Sequence, residues 1–205
     1  MTTALPLGPG RAPLDRLVLA DLLPHPVALS RTAVDTLLVL SGALVVTLLA
    51  QVAVPLPFTP VPISLATLGV LLTGAALGTA RGSLSVALYV LVGMLGAPVY
   101  GDGGSGWAFA SFGYILAYLP AAALAGHLAR RGQDKTPLRS VGLVLLASVV
   151  VYAGGVPWLM AFLHVDLTTA LRLGVAPFLV GDTIKALLVA GVLPTTWALV
   201  RRARR

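Results

Sequence analysis

Six apolar stretches, near 33–53, 63–80, 82–99, 108–129, 139–162 and 175–199, follow one another with only short connections. A helix needs about 20 apolar residues to cross the roughly 30 Å hydrocarbon core of a bilayer. Backbone polar groups are satisfied in that core only within helices or closed barrels. The chain is 58% hydrophobic and 10% charged, against about 25% charged in a soluble domain, so it lacks the polar surface to face water. The expectation is an all-α integral membrane bundle of six transmembrane helices. It divides into an N-terminal cytoplasmic or interfacial segment 1–30, a helical domain 31–200 and a basic tail 201–205. With 205 residues, no separate soluble domain fits beside six spans.

Charge sets the expected orientation. Of the 14 basic residues, all but Arg172 and Lys185 fall in the connections or termini of one side, including Arg81, Arg130, Arg131, Lys135 and Arg139. Cytoplasmic loops carry the excess of Lys and Arg, so both termini are expected in the cytoplasm. The same placement reads the net charge of +7 as membrane anchoring, with no nucleic acid implied. Leu14–Leu23 is compatible with a short interfacial helix that keeps Asp15, Arg16 and Asp21 wet. About thirty mixed residues precede the first long apolar run, so that run is expected to be retained and not cleaved as a signal.

The loops are read from their breakers. VPLPFTPVP, between the first two spans, is proline-rich and predicts an extended loop at a membrane face. Thr79–Gly82 predicts a tight turn. Gly96–Gly106, GAPVYGDGGSG, predicts a surface connection or a backbone that approaches something closely. The chain has no cysteine, which excludes disulfides and thiolate chemistry.

Two ionisable residues stand inside the last apolar stretch, PFLVGDTIKALLVAGV. Asp182 and Lys185 share one helix face at i and i+3. A charge near mid-bilayer costs from about 2.5 kcal/mol upward, so such a pair either neutralises itself or serves a ligand. Aromatic and polar residues gather on the same expected outer side: Tyr100, Asp102, Gly104, Ser105, Trp107, Tyr114 and Trp158. Together they suggest an outward pocket with aromatic walls. In the first span, Ala43 and Thr47 form a small-xxx-small pair, suited either to packing within the bundle or to docking on a partner helix.

Enzymatic readings fare poorly. GGSG at 103–106 matches a serine-protease pattern, but His25, His127 and His164 all lie away from the middle of the last span, where a base would be needed. A GxxxxGK[ST] phosphate loop is absent, and no histidine cluster suggests a metal. The expectation is a non-enzyme without cofactor.

In order along the chain, VPLPFTPVPISLATLGVLLTGAALG, ARGSLSVALYVLVGMLGAPVYGDGGSG, GYILAYLPAAALAG, GVPWLMAF and GDTIKALLVAGVLP resemble the biotin-specific substrate-binding subunits (S components, BioY family) of energy-coupling-factor transporters. The resemblance implies a six-helix S-component fold in the cell membrane that captures biotin from outside. It implies a membrane coupling subunit and two cytoplasmic ATPases as partners, and it is compatible with a homo-oligomer. It gives Asp182 and Lys185 the role of ligand contacts, the loop around Tyr100–Gly106 that of lid and pocket rim, and Ala43 and Thr47 that of a docking surface. Where family members commonly carry Gln-Thr and PTGGY, this chain reads Ala66-Thr67 and ASFGY. The rival expectations are an S component for another vitamin, and a small secondary transporter or channel working without an ATPase.

Overall fold

The computed structural model describes residues 16–23 and 29–203. The elements run α1 (Arg31–Ala50), β1 (Ala53–Leu56), β2 (Thr59–Ser64), α2 (Ala66–Leu77), α3 (Thr79–Met94), α4 (Phe112–Arg130), α5 (Pro137–Leu163), α6 (Leu167–Gly174) and α7 (Phe178–Ala203). Among the described residues, α1, α4, α5 and α7 are long and apolar enough to cross a membrane. Helices α2 and α3 are apolar but shorter, at 12 and 16 residues, or about 18 and 24 Å at 1.5 Å per residue.

The all-helical expectation needs one correction. The proline-rich connection between α1 and α2 is an antiparallel hairpin, with Ala53 opposite Ser64 and Val54 opposite Ile63. A register shift between Val54 and Leu56 accommodates Pro55, which has no N–H for the ladder. The second apolar stretch therefore begins as a strand, and its helix starts only at Ala66. The expected turn at Thr79–Gly82 is also displaced. The break is Gly78 alone, with φ +84°, and α3 begins at the next residue. A short amphipathic helix, α6, occupies the expected outer loop after His164, capped by the Asp166 carboxylate accepting from the Thr169 N–H.

Helix α4 is the centre of the bundle and packs on α2, α3 and α5. Its alanines do the work: Ala121, Ala122, Ala125 and Ala129 are fully buried. Small residues let helices approach closely where lipid offers no hydrophobic drive. A Cβ on Gly74 of α2 would lie 2.6 Å from the Ala122 carbonyl oxygen. The outward faces stay oily, as Leu37, Leu40, Leu44 and Leu48 of α1 illustrate with exposures of 51–60%.

One end of the bundle is tied by charge. Arg81 bonds Asp35 at 2.8 Å and Asp21 at 3.2 Å, and Arg130 bonds the other oxygen of Asp21 at 3.2 Å. Asp21 sits in a 3₁₀ turn, Leu19–Leu22, preceded by the fully buried Val18. The expected interfacial helix is thus a strap pinned by charge to α3 and α4, as far as it is described; Asp15 lies outside the described residues.

Ala43 is corrected as a docking residue. It is buried in the bundle, Thr47 is half-buried, and the Thr47 hydroxyl bonds the Ala43 carbonyl. The neighbouring Gly42 faces Thr73, Leu77 and Ser85. The small residues of α1 therefore receive α2 and α3, and the face left open is the leucine face.

Candidate substrate-binding site

Opposite the charged end, the hairpin, the Gly96–Ser111 connection, the starts of α2, α4 and α7, the middle of α5 and Tyr89 of α3 surround a cavity of about 480 Å³. Small-molecule sites run from about 300 to 1,000 Å³. The hairpin contributes Thr59, Pro60, Val61, Pro62 and Ser64, and α7 contributes Phe178, Asp182 and Lys185.

The polar centre is built from three helices. Lys185 Nζ donates to Asp182 Oδ1 at 3.2 Å and to Thr67 Oγ1, near the start of α2, at 2.8 Å. The Tyr152 hydroxyl of α5 donates to Asp182 Oδ2. The side chains of Lys185 and Asp182 are 7% and 19% exposed. An ammonium has three donors and a carboxylate about four acceptor sites, so both groups keep capacity for a ligand after satisfying each other. An isolated buried charge would be prohibitive; a paired and hydrogen-bonded one is tolerated.

Aromatic residues fix the walls. Tyr114 is held between two glycines: a Cβ on Gly155 would lie 2.2 Å from its ring, and one on Gly174 2.0 Å from its hydroxyl. That hydroxyl donates to the Gly174 carbonyl at 3.0 Å, locking α4 to the end of α6. Tyr100 is 1% exposed, donates to the Val90 carbonyl at 2.7 Å and stacks edge-on against Tyr89. Burial pushes its phenol up to about 12, so it remains a neutral donor at physiological pH. Gln51 Nε2, at the end of α1, donates to the Val99 and Tyr100 carbonyls at 3.0 and 3.1 Å. The glycine-rich connection is thereby moored at both α1 and α3, while Asp102, Gly104 and Ser105 still reach the cavity.

The structure brings together Asp182, Lys185, Tyr100, Asp102, Gly104, Ser105 and Tyr114. It leaves out two of the residues expected from sequence. Trp107 is 58% exposed and stands outside the cavity lining. Trp158 turns away from it: its indole N–H donates to the Phe109 carbonyl at 3.0 Å and its ring packs against Phe112 and Gly113. Sequence reasoning missed Thr67, Tyr89, Tyr118 and Ser148 as lining residues. Tyr152 stood near the GGVP segment, but only the packing of α5 on α7 shows what it touches.

The fold is that of a known transporter subunit. The crystal structure of an S-component for biotin from an ECF-type ABC transporter superposes with a TM-score of 0.74, at 24% identity, covering 83% of this chain and 95% of that one. Sequence relatives include the biotin transporter BioY of Rhodobacter capsulatus, 34% identical over 81% of this chain and 93% of the relative. The biotin transporter BioY of Rhizobium etli is 34% identical over 74% and 86%, and biotin transporter BioY2 of Lactococcus lactis is 32% identical over 74% and 84%. Because the BioY family profile matches residues 24–202, nearly the whole of the described bundle, the chain belongs to the BioY family.

Proposed function

We propose that this protein captures biotin at the cavity around Asp182 and Lys185 and serves its uptake across the cell membrane as the substrate-binding subunit of an energy-coupling-factor transporter. The single observation that carries the reading is the partnered Asp182–Lys185 pair on the wall of an open-mouthed cavity of suitable size. Biotin's ureido ring offers two N–H donors and a polarised carbonyl. The Asp182 carboxylate accepts from the N–H groups, and Lys185 donates to the carbonyl. Charge-assisted hydrogen bonds of this kind are roughly twice as strong as neutral ones. The thioether ring and aliphatic chain lie against Tyr89, Tyr118, Val151 and Phe178.

In this reading α1, α2, α3, α4, α5 and α7 are six membrane crossings, the short α2 completed by the hairpin that precedes it. Both termini are cytoplasmic, in keeping with the basic residues at the Arg81–Arg130 end, and the cavity opens outward. The six crossings form one substrate-binding domain, between the N-terminal segment and the basic tail. Family membership and the fold support a membrane coupling subunit with two cytoplasmic ATPases as partners. The leucine face of α1 is a candidate for meeting the coupling subunit.

The deciding experiment is binding of labelled biotin to the purified protein in detergent, with other vitamins as unlabelled competitors. Saturable binding displaced by biotin and not by other vitamins is the expected result. Displacement by a different vitamin alone would overturn the biotin assignment, and an absence of binding would overturn the site itself.

A further inference from the structure

The charges lining the cavity do not suit an anion. Asp182 and Lys185 neutralise each other at its buried wall, 3.2 Å apart. Asp102 adds a negative charge on the exposed rim. Among the described residues, Lys185 is the one basic side chain that lines the space, and it already bonds both Asp182 and Thr67. The remaining polar lining is hydroxyl: Thr59, Ser64, Ser105, Ser111 and Ser148 among others. A hydroxyl donates or accepts, so it serves a neutral group as readily as a carboxylate.

A ligand with an anionic tail therefore meets a like charge at the mouth and, inside, a cation whose charge is already matched. Like charges brought together cost affinity. We infer that the site selects its ligand by the ureido ring and disfavours negative charge on the tail, so that a ureido-ring ligand with its carboxyl capped as a neutral amide binds at least comparably to the free acid. The inference rests on the biotin reading above. It also commits Lys185 to the ring carbonyl: were Lys185 gripping the tail carboxylate, capping that carboxylate would abolish the contact.

Purified full-length protein in detergent is titrated with biotin and with biotin primary amide. The amide is expected to bind tighter than biotin or within about threefold of it. An amide more than threefold weaker overturns the inference while leaving biotin capture standing. If neither compound binds, the biotin reading fails and this inference falls with it. The Asp102→Asn variant isolates the rim charge. Asp102 has φ +57°, a left-handed conformation that asparagine also adopts readily, so the change removes charge without new strain. The ratio of biotin to amide affinity is expected to rise about twofold in this variant at low ionic strength, with the rise shrinking at high salt. An unchanged ratio at low salt removes Asp102 from the selectivity.

Discussion

Lys185 Nζ lies 2.8 Å from Thr67 Oγ1, a contact between residues 118 positions apart in the chain. It joins the only buried ammonium on the cavity wall, among the described residues, to the first turn of a helix that would otherwise present plain apolar surface. Thr67→Val keeps the shape and deletes the acceptor. Lys185 then leans on Asp182 alone, and the ammonium loses one of the bonds that aim it into the cavity. Biotin affinity is expected to fall about fivefold, near 1 kcal/mol, by titration calorimetry, with little change in melting temperature. Unchanged affinity would show that Thr67 does not help aim the ammonium.

The ion pair itself separates structure from function through a double variant. Lys185→Met leaves Asp182 without its cation, and breaking a buried pair costs about 3–5 kcal/mol, reduced here because Asp182 is partly exposed. Asp182→Asn leaves the reverse imbalance. Each single variant is expected to lose stability and at least tenfold in biotin affinity, about 1.4 kcal/mol. The combined variant carries no unmatched charge, so its melting temperature should recover above either single variant while binding stays lost. Binding that recovers together with stability would reduce the pair to a structural ion pair.

That pair was legible in the sequence because charge inside an apolar stretch is expensive and therefore conspicuous. The bonds that Thr67 and Tyr152 make to the pair were not, since a hydroxyl on an apolar helix costs little until tertiary packing decides what faces it. The same limit explains Trp158. Its position near the outer end pointed to the cavity, but the missing Cβ of Gly113 opens a seat on α4 that draws the ring away. The hairpin hid behind its prolines, which argue against a strand unless a bulge or an edge absorbs them. Ala43 and Thr47 show that a small-residue motif states close packing without naming the partner. Here the neighbouring Gly42 faces Thr73 and Leu77 of α2 and Ser85 of α3, in the same chain.

Gly155 is a second place where packing can be tested directly. An alanine there puts its methyl within 2.4 Å of three Tyr114 ring atoms. The ring cannot yield without breaking its bond to the Gly174 carbonyl. Gly155→Ala is expected to cost about 1–3 kcal/mol of stability, the usual range for overpacking, and to weaken biotin binding as Tyr114 shifts. Gly191 on α7 is the control, because nothing lies within 4 Å of its added methyl. Gly191→Ala should be neutral or stabilising by up to about 1 kcal/mol. Equal thermal behaviour of the two variants would contradict the tight seat of Tyr114.

The far end of the bundle carries a buried acid whose behaviour with pH can be worked out. Asp134, in the connection between α4 and α5, is 0% exposed, and one of its oxygens accepts from the Trp197 indole N–H at 2.6 Å. Its other oxygen is buried with no hydrogen-bond partner, and Lys135 sits over the Trp197 ring at 4.3 Å. Burial raises the Asp134 carboxyl above its ordinary value, against the opposing pull of Trp197 and Lys135. The folded protein thus holds this proton to higher pH than the unfolded chain does. By linkage, the stabilising contribution is complete below the ordinary carboxylate value near 4 and is lost as pH rises through the raised value. Trp197→Phe removes the donor that favours the charged form, so it drives the carboxyl higher still and leaves a buried acceptor unpaired. The variant is expected to lose about 1–3 kcal/mol at neutral to alkaline pH, and less as the pH approaches 4. Thermal unfolding in detergent at several pH values measures both. A loss of the same size at every pH would mean that Trp197 acts through packing alone and that its bond to Asp134 carries no charge dependence.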